Sequence, residues 1–98
     1  MLFHSVYFWL KPGISAAEEE EFLCGMESLT KIQSVRQGWF GKPAPTDRPA
    51  VDRSYSYGLV IAFEDIAGHA DYQSDPTHNA FRGLHQLWTK VVIYDFES

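Results

Sequence analysis

From residue 2 to residue 10 the chain reads Leu-Phe-His-Ser-Val-Tyr-Phe-Trp-Leu, almost unbroken in aromatic and aliphatic side chains, and it stops at the turn signal Lys11-Pro12-Gly13. This predicts a first strand. Alternate positions place Leu2, His4, Val6, Phe8 and Leu10 on one face and Phe3, Ser5, Tyr7 and Trp9 on the other. Both faces are largely apolar, as in a strand covered on both sides. Ser15-Ala16-Ala17-Glu18 has the form of a capping box, in which the serine oxygen takes a backbone N–H one turn on and the glutamate reaches back. Beyond it Phe22, Met26, Leu29 and Ile32, with Leu23 beside them, recur at helical spacing and predict a helix running to about Gln33. Val35 to Gly41 then reads as a second strand, bent or weakened by Gly38 and Gly41.

Lys42 to Arg53 holds Pro43, Pro45 and Pro49 and no apolar period, so it is an irregular connection that crosses the surface or folds over a pocket mouth. The clearest strand follows, Tyr55 to Glu64, with Tyr55, Tyr57, Leu59, Ile61 and Phe63 on one face and smaller residues on the other. Residues 66 to 73 read as a short helix. Asp75-Pro76-Thr77 pairs an N-cap acid with proline at the first helical position. A helix is expected from there to about Leu87, with Phe81, Leu84 and Trp88 inward, and Lys90 to Phe96 closes the chain as a strand.

The resulting order is strand, helix, strand, strand, helix pair, strand. It predicts one α+β domain over residues 1–98, ferredoxin-like, with a four-stranded antiparallel sheet and helices on one face. The other face of that sheet has no helix. Because the first and last strands are apolar on both sides, a second copy of the chain is the expected cover, giving a homodimer by sheet packing.

Composition sharpens this picture. The 98 residues carry fifteen aromatics, more than one small core consumes, and net charge is −5 with the eight basic residues scattered along the chain. Nucleic acid is therefore not an expected partner. The acidic run Glu18 to Glu21 reads as a solvated first helical turn. Cys24 is the only cysteine, without a basic neighbour, so it reads as a bystander thiol in a reducing, cytoplasmic compartment. No cationic leader precedes the apolar start, and no apolar run approaches the ~20 residues of a membrane span.

Among titratable groups His78 stands out, because spacing puts it on the helical face of Phe81 and Trp88, toward the sheet, in the first turn of its helix. Burial and the helix dipole both disfavour an imidazolium there, and a neutral imidazole facing an enclosed space can act as general base. The alternative is a core histidine with both nitrogens bonded to the backbone. Tyr72 lies six residues earlier across a tight Ser-Asp-Pro connection, so the two side chains can converge. His4 and Tyr57 put polar tips into apolar strand faces, which suits a binding pocket as well as a paired inward His and Tyr. Val6, Leu59, Phe81 and Trp88 are expected to line the same pocket, together with Phe22 and Met26 from the first helix. No set among His69, Asp71, Asp75 and His78 matches a known ligand spacing, so no metal is expected. The absence of a Gly-rich phosphate loop, a nucleophile elbow or a Cys-x-x-Cys pair points away from nucleotide and redox cofactors.

Four segments together resemble the stress-responsive A/B barrel (Dabb) domain family: His4-x-Val6-x-Phe8-x-Leu10-Lys11, Tyr57 through Asp65, Asp71-Tyr72-x-x-x-Pro76-x-His78-x-x-Phe81, and Trp88-x-Lys90 through Phe96. The resemblance covers nearly the whole chain and implies a ferredoxin-like protomer pairing into a dimeric α+β barrel. It further implies the chemistry of a plant polyketide cyclase of the family, an aldol ring closure without cofactor or metal. That enzyme's tyrosine would fall on Tyr72, its histidine base on His78 and its N-terminal strand histidine on His4. The sequence departs from the pattern at Asp75, where a second histidine is common, at Tyr57, which replaces a pocket histidine, and at Leu23 and Met26, which replace aromatic residues. The expectation is a protein that binds a small apolar carbonyl compound, as a cofactor-free cyclase or lyase. The alternatives are a non-catalytic, stress-associated binding protein and a cofactor-independent monooxygenase.

Overall fold

The computed structural model describes residues 1–98. Its elements are β1 (Leu2–Leu10), α1 (Ala16–Leu29), β2 (Gln37–Gly41), β3 (Tyr57–Phe63), α2 (Ile66–Ser74), α3 (Pro76–Arg82) and β4 (Trp88–Glu97), with a 3-10 turn at His85–Leu87. The capping box forms as its sequence requires: the Ser15 hydroxyl accepts the Glu18 N–H at 3.0 Å, and the Glu18 carboxylate accepts the Ser15 N–H at 2.8 Å. The four strands make one sheet in the order β2-β3-β1-β4, with antiparallel pairing throughout. This is the ferredoxin-like arrangement expected from the element order.

Register decides which side chains meet. His4 lies opposite Ile61 and Asp95, Val6 opposite Leu59 and Ile93, and Phe8 opposite Tyr57 and Val91. Residues directly opposite share a face, so this row is turned toward the helices. Phe22, Met26 and Leu29 of α1, Tyr72 of α2 and Phe81 of α3 close over it, and all are buried. The rings of Phe8, Phe22, Phe81 and Trp88 form one cluster with centroids 5.1 to 6.0 Å apart. Helix α1 comes this close to α3 because of Gly25, where a Cβ would stand only 2.8 Å from a ring carbon of Phe81.

The differences from the sequence reading have local causes. Helix α1 stops at Leu29 rather than Gln33, with the Ser28 and Thr30 hydroxyls donating back to the carbonyls of Gly25 and Glu27. Ile32 keeps its place in the apolar stripe from the following turn and is buried there. The long last helix breaks at Gly83, so α3 is short and Trp88, expected on a helix, opens β4 instead. Its ring still reaches Phe8 and Phe81. Strands β2 and β3 each begin two residues later than read.

On the helix-free face Phe3 stacks on Phe96 at 5.1 Å, and Trp39, Tyr94 and Phe96 are all exposed. The expected surplus of apolar surface is therefore present on that face. No helix is long and apolar enough to cross a membrane.

Candidate functional site

The short helices owe their placement to two acidic caps. The Asp65 carboxylate accepts the Gly68 N–H at 2.9 Å and opens α2, and the Asp75 carboxylate accepts the Thr77 N–H at 2.8 Å and opens α3. Asp75 is also the residue that ends α2. The reversal at this shared cap brings the rings of Tyr72 and His78 edge to face, 4.7 Å apart. The convergence anticipated from their spacing is thus present.

Both rings line a cavity of about 220 Å³ between the sheet and the α2–α3 pair. His4, Val6, Leu59, Phe81 and Trp88, five of the expected ligand-binding residues, line it as well. Phe22, Met26 and Tyr57 do not. Phe22 and Met26 are consumed by the packing of α1 on the sheet, and the Tyr57 hydroxyl donates to Glu19 at 3.0 Å beneath the start of that helix. The sequence reading missed Phe8, Leu29, Gln73, Arg82, Val91 and Ile93 in the lining. Val91 and Ile93 share the inward row with Val6 and Phe8 yet remain exposed, because β4 is the sheet edge. A larger hollow of about 410 Å³, lined by Tyr7, Trp9, Tyr55 and Tyr94 among others, lies on the helix-free face.

His78 differs from a core histidine in one respect: its Nδ1 is buried and has no hydrogen-bond partner. The reading in which both nitrogens are bonded to the backbone does not hold for that atom. Burial pushes the imidazole down to about 4, helped by the charge of Arg82 and by His4 and His69, while Asp75 pulls the other way. The ring is therefore neutral across the physiological range. Burial raises the Tyr72 phenol, which stays protonated and able to donate.

His4 and Asp95 face each other across the β1–β4 register, and His4 Nδ1 bonds Asp95 Oδ1 at 2.5 Å. The His69 ring lies 4.8 Å from that of His4. Arg82 donates to Gln73 Oε1 at 2.9 Å, which turns the Gln73 amide nitrogen to His69 Nε2 at 3.1 Å. That nitrogen accepts and so carries no proton. Burial first, then the neighbouring His4, holds the His69 imidazole below its ordinary range. The only set of three or more metal-ligating side chains brought together is His4, His69 and Asp95, rather than the set around Asp71 and Asp75.

These shifts set a pH dependence. The unfolded chain takes up a proton on His78 near the ordinary 6.5, whereas the folded chain resists until about 4. Stability is therefore full above about pH 6.5 and declines as pH falls toward 4, with His69 acting in the same direction. Thermal unfolding of the parent and a His78→Gln variant between about pH 7 and 4.5 should show the variant losing less stability on acidification.

An antiparallel sheet in this order, with helices on one face and a small cavity beneath them, defines a ferredoxin-like α+β domain. The profile described as the Stress Responsive A/B Barrel Domain, Dabb, matches residues 2–98, and the chain belongs to that family. A Dabb family protein from Mesorhizobium loti is similar at 26% identity, covering 99% of this chain and 95% of that one with a TM-score of 0.80. A dimeric ferredoxin-like protein of unknown function from Thermobifida fusca aligns over 97% and 88% of the two chains at 18% identity, with a TM-score of 0.78. The hydroxynitrile lyase of Passiflora edulis aligns over 97% and 90% at 18% identity, also with a TM-score of 0.78. No curated protein matches the sequence closely enough to count as a relative.

Proposed function

We propose that this chain acts as a homodimer whose protomers each bind a small apolar carbonyl compound, and that His78 and Tyr72 carry out a cofactor-free proton transfer on it. The observation that carries the reading is the neutral ring of His78 on the wall of an apolar cavity, edge to face with the protonated phenol of Tyr72 at 4.7 Å. In the reaction the imidazole takes a proton from the carbon next to a carbonyl, or from the hydroxyl of a cyanohydrin, whose oxygen becomes the carbonyl as cyanide leaves with the C–C bonding pair. In the first case the Tyr72 hydroxyl donates to the carbonyl oxygen, where negative charge develops. The Arg82 guanidinium on the cavity wall favours the same charge.

The cavity volume, about 220 Å³, lies below the ~300 Å³ at which pockets begin to take drug-sized ligands, so the compound is small. Aldol closure and cyanohydrin cleavage both fit this acid and base pair, and a hydroxynitrile lyase of the same fold favours lyase chemistry as a candidate. The exposed aromatic sheet face and the dimeric structural neighbours support pairing of two protomers. We extend the family's stress-responsive description to this chain in the same proposal, and its lone cysteine, Cys24, supports a cytoplasmic location.

The test is a panel of small aldehydes, ketones, cyanohydrins and β-keto thioesters, read by thermal shift and by product analysis. At least one class is expected to raise the melting temperature saturably and to be turned over. Saturable binding without turnover would leave the non-catalytic binding protein as the function. A panel with neither would remove the carbonyl reading.

A further inference from the structure

One cluster of ligating side chains is left unused by this reading. His4 comes from β1, His69 from α2 and Asp95 from β4, and one ligand atom of each lies within 4.8 Å of the others. We infer that these three side chains form a binding site for a divalent transition-metal ion, of which Zn²⁺ is the best-fitting case.

Donor chemistry selects the ion. Two imidazoles and one carboxylate make the three-ligand set that leaves a further position open to water or substrate, and imidazole donors discriminate against Mg²⁺ and Ca²⁺. Bonds of about 2.0–2.2 Å put ligand atoms on the order of 3–3.5 Å apart around such an ion. Closing up therefore requires the most distant pair to approach by about 1.5 Å while the short His4–Asp95 contact opens by somewhat less. Asp95 can make that adjustment, since its side chain is 41% exposed on the edge strand, whereas His4 is fixed by burial; an ion on either nitrogen of His69 takes the place of the Gln73 hydrogen bond at Nε2.

Access and charge agree with the donor set. An open cleft of about 300 Å³ reaches His69 and Asp95 from solvent, between Leu2, Ile66, Phe96 and Glu97. Its two carboxylates, with no lysine or arginine in the lining, favour a cation. His4 belongs to the wall of the His78–Tyr72 cavity, so the ion would sit beside that cavity and share one residue with it. The inference does not depend on the carbonyl reading, because metal is measured directly.

The experiment titrates the full chain with Zn²⁺ by calorimetry and with Co²⁺ by visible absorption, using Mg²⁺ as the hard-cation control. One Zn²⁺ per chain is expected, with a raised melting temperature and a Co²⁺ spectrum of nitrogen and oxygen ligation, and no response to Mg²⁺. His69→Ala and Asp95→Ala should each weaken Zn²⁺ binding tenfold or more with the circular dichroism of the fold retained. Cys24→Ser should leave it unchanged, since the exposed thiol is the competing soft ligand. Absence of saturable Zn²⁺ binding would overturn the assignment. So would binding that survives His69→Ala, or binding that is lost with Cys24.

Discussion

Replacing His78 with alanine is expected to lower turnover of the bound carbonyl compound by on the order of 10²–10⁴-fold, the usual contribution of a positioned base, while the fold persists. The two halves of that expectation come from one observation. Because Nδ1 has no protein partner, truncation leaves no hydrogen-bonding group orphaned at that atom, and the loss is one of packing, the edge-to-face contact with Tyr72 included. A histidine held by core hydrogen bonds would instead cost roughly 1–3 kcal/mol for each partner left unsatisfied. Tyr72→Phe should reduce turnover less, since it removes the donor but keeps the ring that packs on Phe63 at 5.1 Å and on His78. Steady-state kinetics and thermal unfolding of both variants check this. A His78→Ala protein with parental turnover would remove the base assignment, and a strongly destabilised one would restore the structural role.

Tyr94→Glu is expected to convert the dimer to a folded monomer. Tyr94 is 65% exposed in the isolated protomer and belongs to the helix-free face that carries Phe3, Tyr7, Val92 and Phe96. A glutamate there meets water in the monomer at little cost, whereas between two apolar sheets it would be a buried charge without a partner, a penalty of about 3–5 kcal/mol. Sedimentation velocity at micromolar concentration should therefore show the parent as a dimer and the variant as a monomer, with matching circular dichroism. The parent dimer is also expected to persist in high salt, as pairing by sheet burial rather than by charge requires. A monomeric parent would contradict the barrel arrangement.

Most of the fold was legible because local signals agreed with one another. The β1 alternation, the Ser15 capping box and the Asp75-Pro76 start each appear in the structure where the chain announces them. What escaped is what only three-dimensional register fixes. Asp95 reads as one acid in an apolar strand until pairing sets it opposite His4. Likewise, His69 has no ligand spacing with His4 because the two lie on different elements. Phe22 and Met26 carry the same periodic signal whether a helical stripe faces core or cavity, and here tight packing of α1 decides for the core. Trp88 could be read on either side of a helix end, and Gly83 settles it by stopping α3.

The shared cap at Asp75 divides labour within the cavity. Tyr72 and His78 are set against each other by a stretch of seven residues, through one carboxylate and one proline, with Phe63 and His4 of the sheet packed on the Tyr72 ring. Most of the wall around them comes from β1, β3 and β4, distant parts of the chain. On the proposed reading, the pair is set mainly by local sequence and the wall mainly by the sheet. Substitutions at Val6, Leu59, Val91 or Ile93 are then expected to reshape what the cavity admits with little change in the distance between phenol and imidazole.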